Sequence, residues 1–481
     1  MSDRPNILLI TTDQQRFDTI QAAGNPYILT PHLNWLADTG IRFSNAYSDC
    51  PICMPARATI MTGRHGHSMG FTTNTTSVRP IDSRHSLPGL LTASGYQTRA
   101  QGKMHFEPQR CHYGFEQMEI LDDYYRHMAK HPEKGVPMDH GLGQNEMAPG
   151  ISTVEESNSL THWTVDRSID FLEARDSTRP FFLWTSFSKP HPPLDPCRNY
   201  WELYRDAQVP DPVTGNWSAE VDAIAAGWRD PSLRLNMVWR YTPQQIQLIR
   251  RAYYACITQI DYNLGLLFAR MREMDLLKNT LILFTSDHGD MLGDHHLGAK
   301  SIGLEGSAHV PMLIRPPQAD WVFTEKRRGS VCDDLVCLAD VLPTCLAFAG
   351  VKAPDNLALD GLDMLTTAAG GKAREWLFGS GESFHFVRKG THKYLYENLG
   401  GSELLFDIER DPYEQHDLVR AGGHKAVLAD FRVKLLEHLQ SIKHPSVREG
   451  KIVPKGNPSA LLHANAWPGF HSKLLPAEVA H

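Results

Sequence analysis

Short apolar runs alternate with longer amphipathic segments along this 481-residue chain, and no other feature restricts its fold as much. Residues 7–12, 40–43, 96–100, 181–186 and 281–285 have strand character, while 31–39, 87–93, 164–174, 243–274 and 340–349 carry helical spacing. Strands separated by helices predict an α/β domain on a mostly parallel central sheet flanked by helices. Beyond Gly361 the texture changes. There 375–382, 392–397 and 403–408 read as antiparallel strands, with 425–442 a helix packed on them. The expected organisation is a large α/β domain over 1–370, a smaller C-terminal α+β subdomain over 371–443, and an extended arm over 444–481.

Composition narrows the function classes. A hydrophobic content of 41% with 21% charged residues is that of an ordinary globular protein with a substantial core. The net charge of −7 argues against a nucleic-acid partner, so an anionic ligand must meet a local cluster of cations. No apolar run reaches the roughly 18 residues of a membrane span. The first apolar run ends at Asp13, too soon for a signal-peptide core and without a cleavage pattern, which reads as cytoplasmic. Eight cysteines are spread without a disulfide-framework spacing. Cys50 and Cys53 form a C-x-x-C, open to a redox or zinc reading, but no second pair accompanies it.

Two strand runs terminate in metal-type side chains: Asp13-Gln14 after the first, and Asp287-His288-Gly289-Asp290 after the run at 281–285. Ligands of open α/β sheets gather at the carboxyl ends of the strands. Asp13, Gln14 and Asp287 are hard oxygen donors that suit Ca²⁺ or Mg²⁺ and accept Mn²⁺, and His288 makes the set slightly softer. A lone Asp after a strand has a competing reading as a helix N-cap. Between these points lies Cys53-Met54-Pro55-Ala56-Arg57, followed by Ala58 to Arg64, which reads as a cysteine just before a helix. Pro55 suits the first turn, the helix N–H groups and dipole would face an anion beside Cys53, and Arg57 adds a permanent positive fork. The competing reading is a buried structural cysteine.

The string from Cys53 to Gly63 resembles the C-x-P-x-R-x-x-x-x-T-G signature of the type I sulfatases, members of the alkaline phosphatase superfamily. Five further segments match that family in order. They are Gly102-Lys103-Met104-His105, Lys189-Pro190-His191-Pro192-Pro193, Asp287 to Lys300 continuing to Glu305, Asp340 to Thr344, and Leu405 to Glu414. The resemblance implies an alkaline-phosphatase-like fold and hydrolysis of sulfate monoesters. It implies that Cys53 is oxidised after translation to formylglycine by a maturation system, and that the hydrated aldehyde is the nucleophile. It assigns Asp13, Gln14, Asp287, His288 and residue 53 to a divalent metal, most readily Ca²⁺. Arg57, Lys103, His105, His191 and Lys300 become the catalytic set, with a covalent sulfo-enzyme intermediate.

One departure stands out. Many sulfatases carry two adjacent aspartates after the first strand, where this chain has Asp13-Gln14, a form that looks like choline sulfatases and phosphonate monoester hydrolases. A phosphonate monoester or phosphodiester hydrolase with the same apparatus is therefore an alternative, and a silent carbohydrate-binding relative is another. A thiol hydrolase is a third, without a Cys-His pairing signal to support it. Lys103 and Lys300 compete with solvated surface lysines, and His105 and His191 with satisfied core histidines. His65, His67, His295 and His296 are read as structural, and Met69, Tyr253, Tyr254, Phe181 and Phe182 as core. Substrate identity, whether small-molecule or saccharide sulfate, is assigned to 116–163 and 195–242, with Asn74 reaching the pocket. The apolar stretch at 466–470 is expected to pack on a neighbouring subunit of a homo-oligomer.

Overall fold

The apolar run nearest the N-terminus takes the middle of the sheet. In the computed structural model, which describes residues 4–74, 81–218, 241–317, 327–398 and 400–455, strand β1 (Asn6–Asp13) is buried on both faces. Leu8 and Ile10 join one core with Phe181, Leu183, Ile282 and Phe284. Ile7 and Leu9 join the other with Phe182, Trp184, Leu281 and Leu283. A strand covered on both sides reads as a continuous apolar run, which is why it lacks polar alternation.

The remaining strands of this sheet are β2 (Ile41–Tyr47), β3 (Gln97–Gly102), β4 (Gln117–Ile120), β5 (Phe181–Pro190), β6 (Thr280–Ser286), β7 (Met312–Arg315) and β8 (Ser330–Cys337). Their spatial order is β4-β3-β5-β1-β6-β7-β2-β8. Every pairing is parallel except those of β7, which runs antiparallel to β6 and β2. Helices Pro31–Thr39, Leu160–Ala174 and Pro243–Glu273 cover one face, and Cys53–Thr62, Leu87–Ala93 and Val341–Phe348 cover the other. The helix expected from 164 starts earlier, at Leu160, because the Ser159 hydroxyl caps it by accepting from His162 N at 3.2 Å. Strands β4, β7 and β8 were not foreseen.

A second, antiparallel sheet follows, made of β9 (Leu377–Ser380), β10 (Phe384–Lys389), β11 (His392–Glu397) and β12 (Glu403–Asp407), in the order β12-β11-β10-β9. The strand expected over 375–382 is β9, shorter at both ends, and β10 was not foreseen; between them Gly381 N donates to Phe384 O at 3.0 Å and the chain reverses. One face of this sheet carries helix Lys425–Ser441 through Val387, Tyr394, Leu405, Phe431 and Leu435. The other presses Phe384, Phe386, Leu395, Leu404 and Phe406 onto the larger domain, against Tyr47, Ile302, Leu304 and Ala308.

A buried ionic link crosses that apolar contact. Lys393 Nζ, fully buried in β11, lies 2.6 Å from Glu305 Oε1 and 2.9 Å from Glu414 Oε1. Tyr47 OH donates to Glu305 Oε2 at 3.2 Å, and the His309 ring meets the same oxygen at 2.7 Å. Glu305 opens helix Glu305–Ala308, which packs under the metal-type loop after β6.

Residues 447–448 and 451–452 form a short antiparallel pair, and the expected subunit contact at 466–470 lies outside the described residues. All eight cysteines are free. No helix among the described residues is long and apolar enough to cross a membrane.

Candidate active site

Sheet order explains why distant motifs meet. β3, β5, β1 and β6 are neighbours running in one direction, so their carboxyl ends share one edge. Lys103, His191, Asp13-Gln14 and Asp287-His288 follow those four ends. Two glycines make the turns possible. Gly102 has φ +91°, and a Cβ there would sit 2.1 Å from Ser186 O. A Cβ on Gly289 would sit 2.1 Å from Gly306 O, in the tight approach where Gly289 N donates to Ser307 O at 2.7 Å.

Residue 53 arrives from the other side. It follows β2 and is the first residue of helix Cys53–Thr62, rather than preceding it. Asn74 Oδ1 accepts from Met54 N at 3.0 Å, and Pro55 has no N–H to offer. The helix start therefore presents little of the expected row of backbone donors. This bond is what the structure gives Asn74, a helix-start acceptor on an otherwise exposed residue. One turn along, fully buried Arg57 reaches four acceptors: Asp287 Oδ2 at 2.9 Å, Asp13 Oδ2 at 3.3 Å, Ser186 Oγ at 2.8 Å and Lys103 O at 2.6 Å. Its fork binds the two carboxylates together and ties them to the ends of β3 and β5.

Asp13, Cys53, Asp287 and His288, all buried, place one ligand atom each within 4.8 Å of one another. Cys53 Sγ lies 3.2 Å from His288 Nε2 and 3.8 Å from Asp13 Oδ1. His288 Nδ1 faces Gly289 O at 2.9 Å, an atom that only accepts, so a ring proton sits there and Nε2 is the nitrogen turned into the cluster. Burial and the charge of Asp13 push the Asp287 carboxyl up despite His288 and Arg57. Burial would raise Asp13 too, but Lys103, His191 and Arg57 hold it well below the usual carboxylate range. Two carboxylates facing one imidazole nitrogen in a dry recess are a donor set suited to a hard divalent cation.

Cations line the open side. Lys103 Nζ is 2.7 Å from Asp13 Oδ2. Lys300 Nζ donates to Gln14 Oε1 at 2.5 Å, while Gln14 Nε2 donates to Asp290 Oδ2 at 2.6 Å. Gln14 thus bridges a lysine and a carboxylate from a left-handed turn, φ 71°, closed by Tyr253 OH donating to Gln14 O at 2.5 Å. Burial and Asp13 push the Cys53 thiol up, yet Lys300, His288 and Lys103 outweigh them and carry it well below its ordinary value. His105 and His191 are both held in the neutral form, chiefly by burial; Lys300 and then Lys103 act further on His191, and Lys103 on His105. His191 Nδ1 faces Pro192 O at 2.8 Å, leaving Nε2 for the site.

The structure therefore gathers Asp13, Gln14, Cys53, Arg57, Lys103, His105, His191, Asp287, His288 and Lys300 around one recess, with Asn74 at its helix. Sequence reasoning passed over Asp290, Ser186 and Tyr253, which hold Gln14 and Arg57. Asp290 was discoverable as the last residue of the Asp-His-Gly-Asp segment, whereas Ser186 and Tyr253 carry no local signal. His65 and His67 lie beside Asp49, and His295 contacts Ser218 Oγ and Tyr413 O, all away from the cluster.

A family model described as Sulfatase matches residues 5–351. The chain is 33% identical over 486 residues to an arylsulfatase of Clostridium perfringens (strain 13 / Type A), spanning 95% of this chain and 99% of that protein. It is 31% identical over 466 residues to a choline-sulfatase of Rhizobium meliloti (strain 1021), spanning 89% and 86%. The crystal structure of a phosphonate monoester hydrolase of Agrobacterium radiobacter superposes with a TM-score of 0.74 at 25% identity, over 92% of this chain and 95% of that one. The fold is that of the alkaline phosphatase superfamily. Within it, the chain belongs to the sulfatase family and is a sulfuric ester hydrolase.

Proposed function

We propose that the protein hydrolyses sulfate monoesters with residue 53 in its formylglycine form and a divalent cation, Ca²⁺ ahead of Mg²⁺ or Mn²⁺, beside it. The observation that carries this is the convergence of Asp13, Asp287, His288 Nε2 and residue 53 within 4.8 Å in a chain of this family. Asp13, Asp287 and His288 would hold the cation, with Gln14 using the second lone pair of Oε1. When bound, the cation supplies Lewis acidity that lowers the pKa of a neighbouring hydroxyl and balances the two carboxylates. A hydrated aldehyde at residue 53 supplies the attacking oxygen and a second hydroxyl, whose deprotonation expels sulfate and restores the aldehyde.

The other residues have roles their surroundings support. Lys103 and Lys300 are tied to Asp13 and Gln14, so their ammonium groups are placed for the ester oxygens before substrate binds. A sulfate between those lysines offsets the field that keeps His191 neutral, so Nε2 gains a proton and passes it to the departing oxygen. His105, neutral and buried, accepts the proton of the second hydroxyl. Arg57 orients Asp13 and Asp287 and adds to the positive charge that favours their ionised forms.

Peptide mass analysis around residue 53 tests this reading. The thiol should be replaced by an aldehyde, and Cys53→Ala should lower turnover of 4-nitrophenyl sulfate by several orders of magnitude with the fold intact. Full activity with an unmodified thiol would end the proposal. Hydrolysis of phosphonate monoesters is the second reading, favoured by the uncharged Gln14 and by the phosphonate hydrolase neighbour. Relative rates on matched nitrophenyl sulfate and phenylphosphonate esters separate the two.

A further inference from the structure

A cavity of about 120 Å³ opens off the recess and shares Lys103, His105 and His191 with it. It extends away from the metal-type cluster, so a substrate with its sulfate between Lys103 and Lys300 directs its ester oxygen past His191 into this space. The size is close to the roughly 150 Å³ apolar cavity that accommodates benzene. Its far wall is Ile120, Tyr124, Tyr125, Met138, Val154 and Leu160, contributed by the segment over 120–160. Tyr125 OH points at Met138 Sδ, 3.6 Å away, and the Tyr124 and Tyr125 rings meet edge to face at 5.1 Å.

The charged groups of the cavity are paired within the protein. Lys189 pairs with Asp195, and His140 Nε2 lies 3.0 Å from the other oxygen of that carboxylate. Lys103 pairs with Asp13. Gln259 bonds Cys197 N at 3.0 Å and Ser159 Oγ at 3.2 Å, and Ser152 Oγ donates to Val154 O at 2.9 Å. Among the described residues that line it, no charged side chain lacks a partner. A cationic or anionic alcohol would lose its hydration there without a counter-charge, and a sugar would turn several hydroxyls against the apolar far wall.

We propose that this cavity is the leaving-group subsite and that it selects a compact, uncharged, apolar alcohol or phenol of one-ring size, with Tyr125 and Met138 as the residues that set the preference. The proposal rests on the sulfatase reading above and deepens it. The test compares three primary alkyl sulfates on the mature enzyme, so that intrinsic leaving-group reactivity is similar: cyclohexylmethyl sulfate, choline sulfate and N-acetylglucosamine 6-sulfate. The expected kcat/KM for the first exceeds both others by about 10-fold to 100-fold, the discrimination available to an apolar pocket. Tyr125→Ala should collapse that ratio and Tyr125→Phe preserve it, with Met138→Ala as the substitute if the first variant does not fold. A smaller ratio, or preference for choline or the sugar, overturns the subsite assignment. Absence of sulfate release from all three and from 4-nitrophenyl sulfate would instead overturn the sulfatase reading itself.

Discussion

Lys393→Met is the perturbation whose consequence is most directly calculable. The replacement keeps an unbranched, apolar stem in a fully buried position of β11 and removes the one cation between Glu305 and Glu414. Deleting one partner of a buried ionic group costs about 3–5 kcal/mol, because the remaining charge is left without compensation. Unfolding entropy of about 2.1 cal/mol/K per residue amounts to about 1 kcal/mol/K for 481 residues, so Tm should fall by about 3–5 °C. The loss must also depend on pH. Burial pushes Glu414 up to about 7 even with Lys393 pulling it down, whereas at Glu305 burial is overcome by Lys393 and then His309, which hold it well below the usual carboxylate range; without the lysine both carboxyls shift upward. An acid whose folded pKa exceeds its unfolded value near 4.3 loses stability as pH climbs from there towards the folded pKa. The part of the loss that comes from Glu305 is already present near pH 5, above its unfolded pKa, and the part from Glu414 is added as pH rises, so thermal scans should show a larger deficit near pH 8 than near pH 5. Adding Glu414→Gln removes one of the stranded charges and should restore part of the loss while flattening its pH dependence. A wild-type Tm at pH 8, or an equal deficit at both pH values, would refute the reasoning.

The recess itself yields further expectations. His191→Ala should slow alkyl sulfates far more than 4-nitrophenyl sulfate, because only the poorer leaving group needs a proton; equal losses by steady-state kinetics would remove its acid role. Gly289→Ala drives a Cβ to 2.1 Å from Gly306 O, so the loop carrying Asp287 and His288 must move. Metal content by mass spectrometry should drop together with turnover, and normal loading would contradict the placement. Chelation of the purified protein should lower both activity and Tm, since a cation bound only to the folded state stabilises it; at a free concentration 100 times Kd the difference is about 2.7 kcal/mol. An unchanged Tm after verified metal removal would count against the site.

The recess was legible in the sequence chiefly where local chemistry and strand ends coincide. Asp13 and Asp287 follow buried runs, and Cys53, Pro55 and Arg57 form a string whose spacing places Arg57 one helical turn after Cys53. What local patterns do not carry is the partner of each strand. Nothing in residues 312–315 tells that β7 runs against its neighbours, and nothing in 6–13 tells that β1 lies between β5 and β6. The same holds for side chains that act through distant contacts. Tyr253 reads as a core aromatic, yet its hydroxyl closes the Gln14 turn 239 residues away. The strand 384–389 was overlooked because Gly381 to Ser383 reverses the chain too tightly to register as a loop.

The central place of β1 governs how the molecule is made. Its partners are β5, whose pairing begins near Phe181, and β6, whose pairing begins near Thr280. A ribosome adding about 5–20 residues per second needs on the order of 15 to 55 s between emitting the first strand and the last of those neighbours. Throughout that interval Ile7 to Ile10 is an unpaired sticky edge in the nascent chain, exposed to premature association. The same interval is the period in which Cys53, finally 1% exposed and enclosed by residues from 13 to 300, lies open to any enzyme that must reach its sulfur.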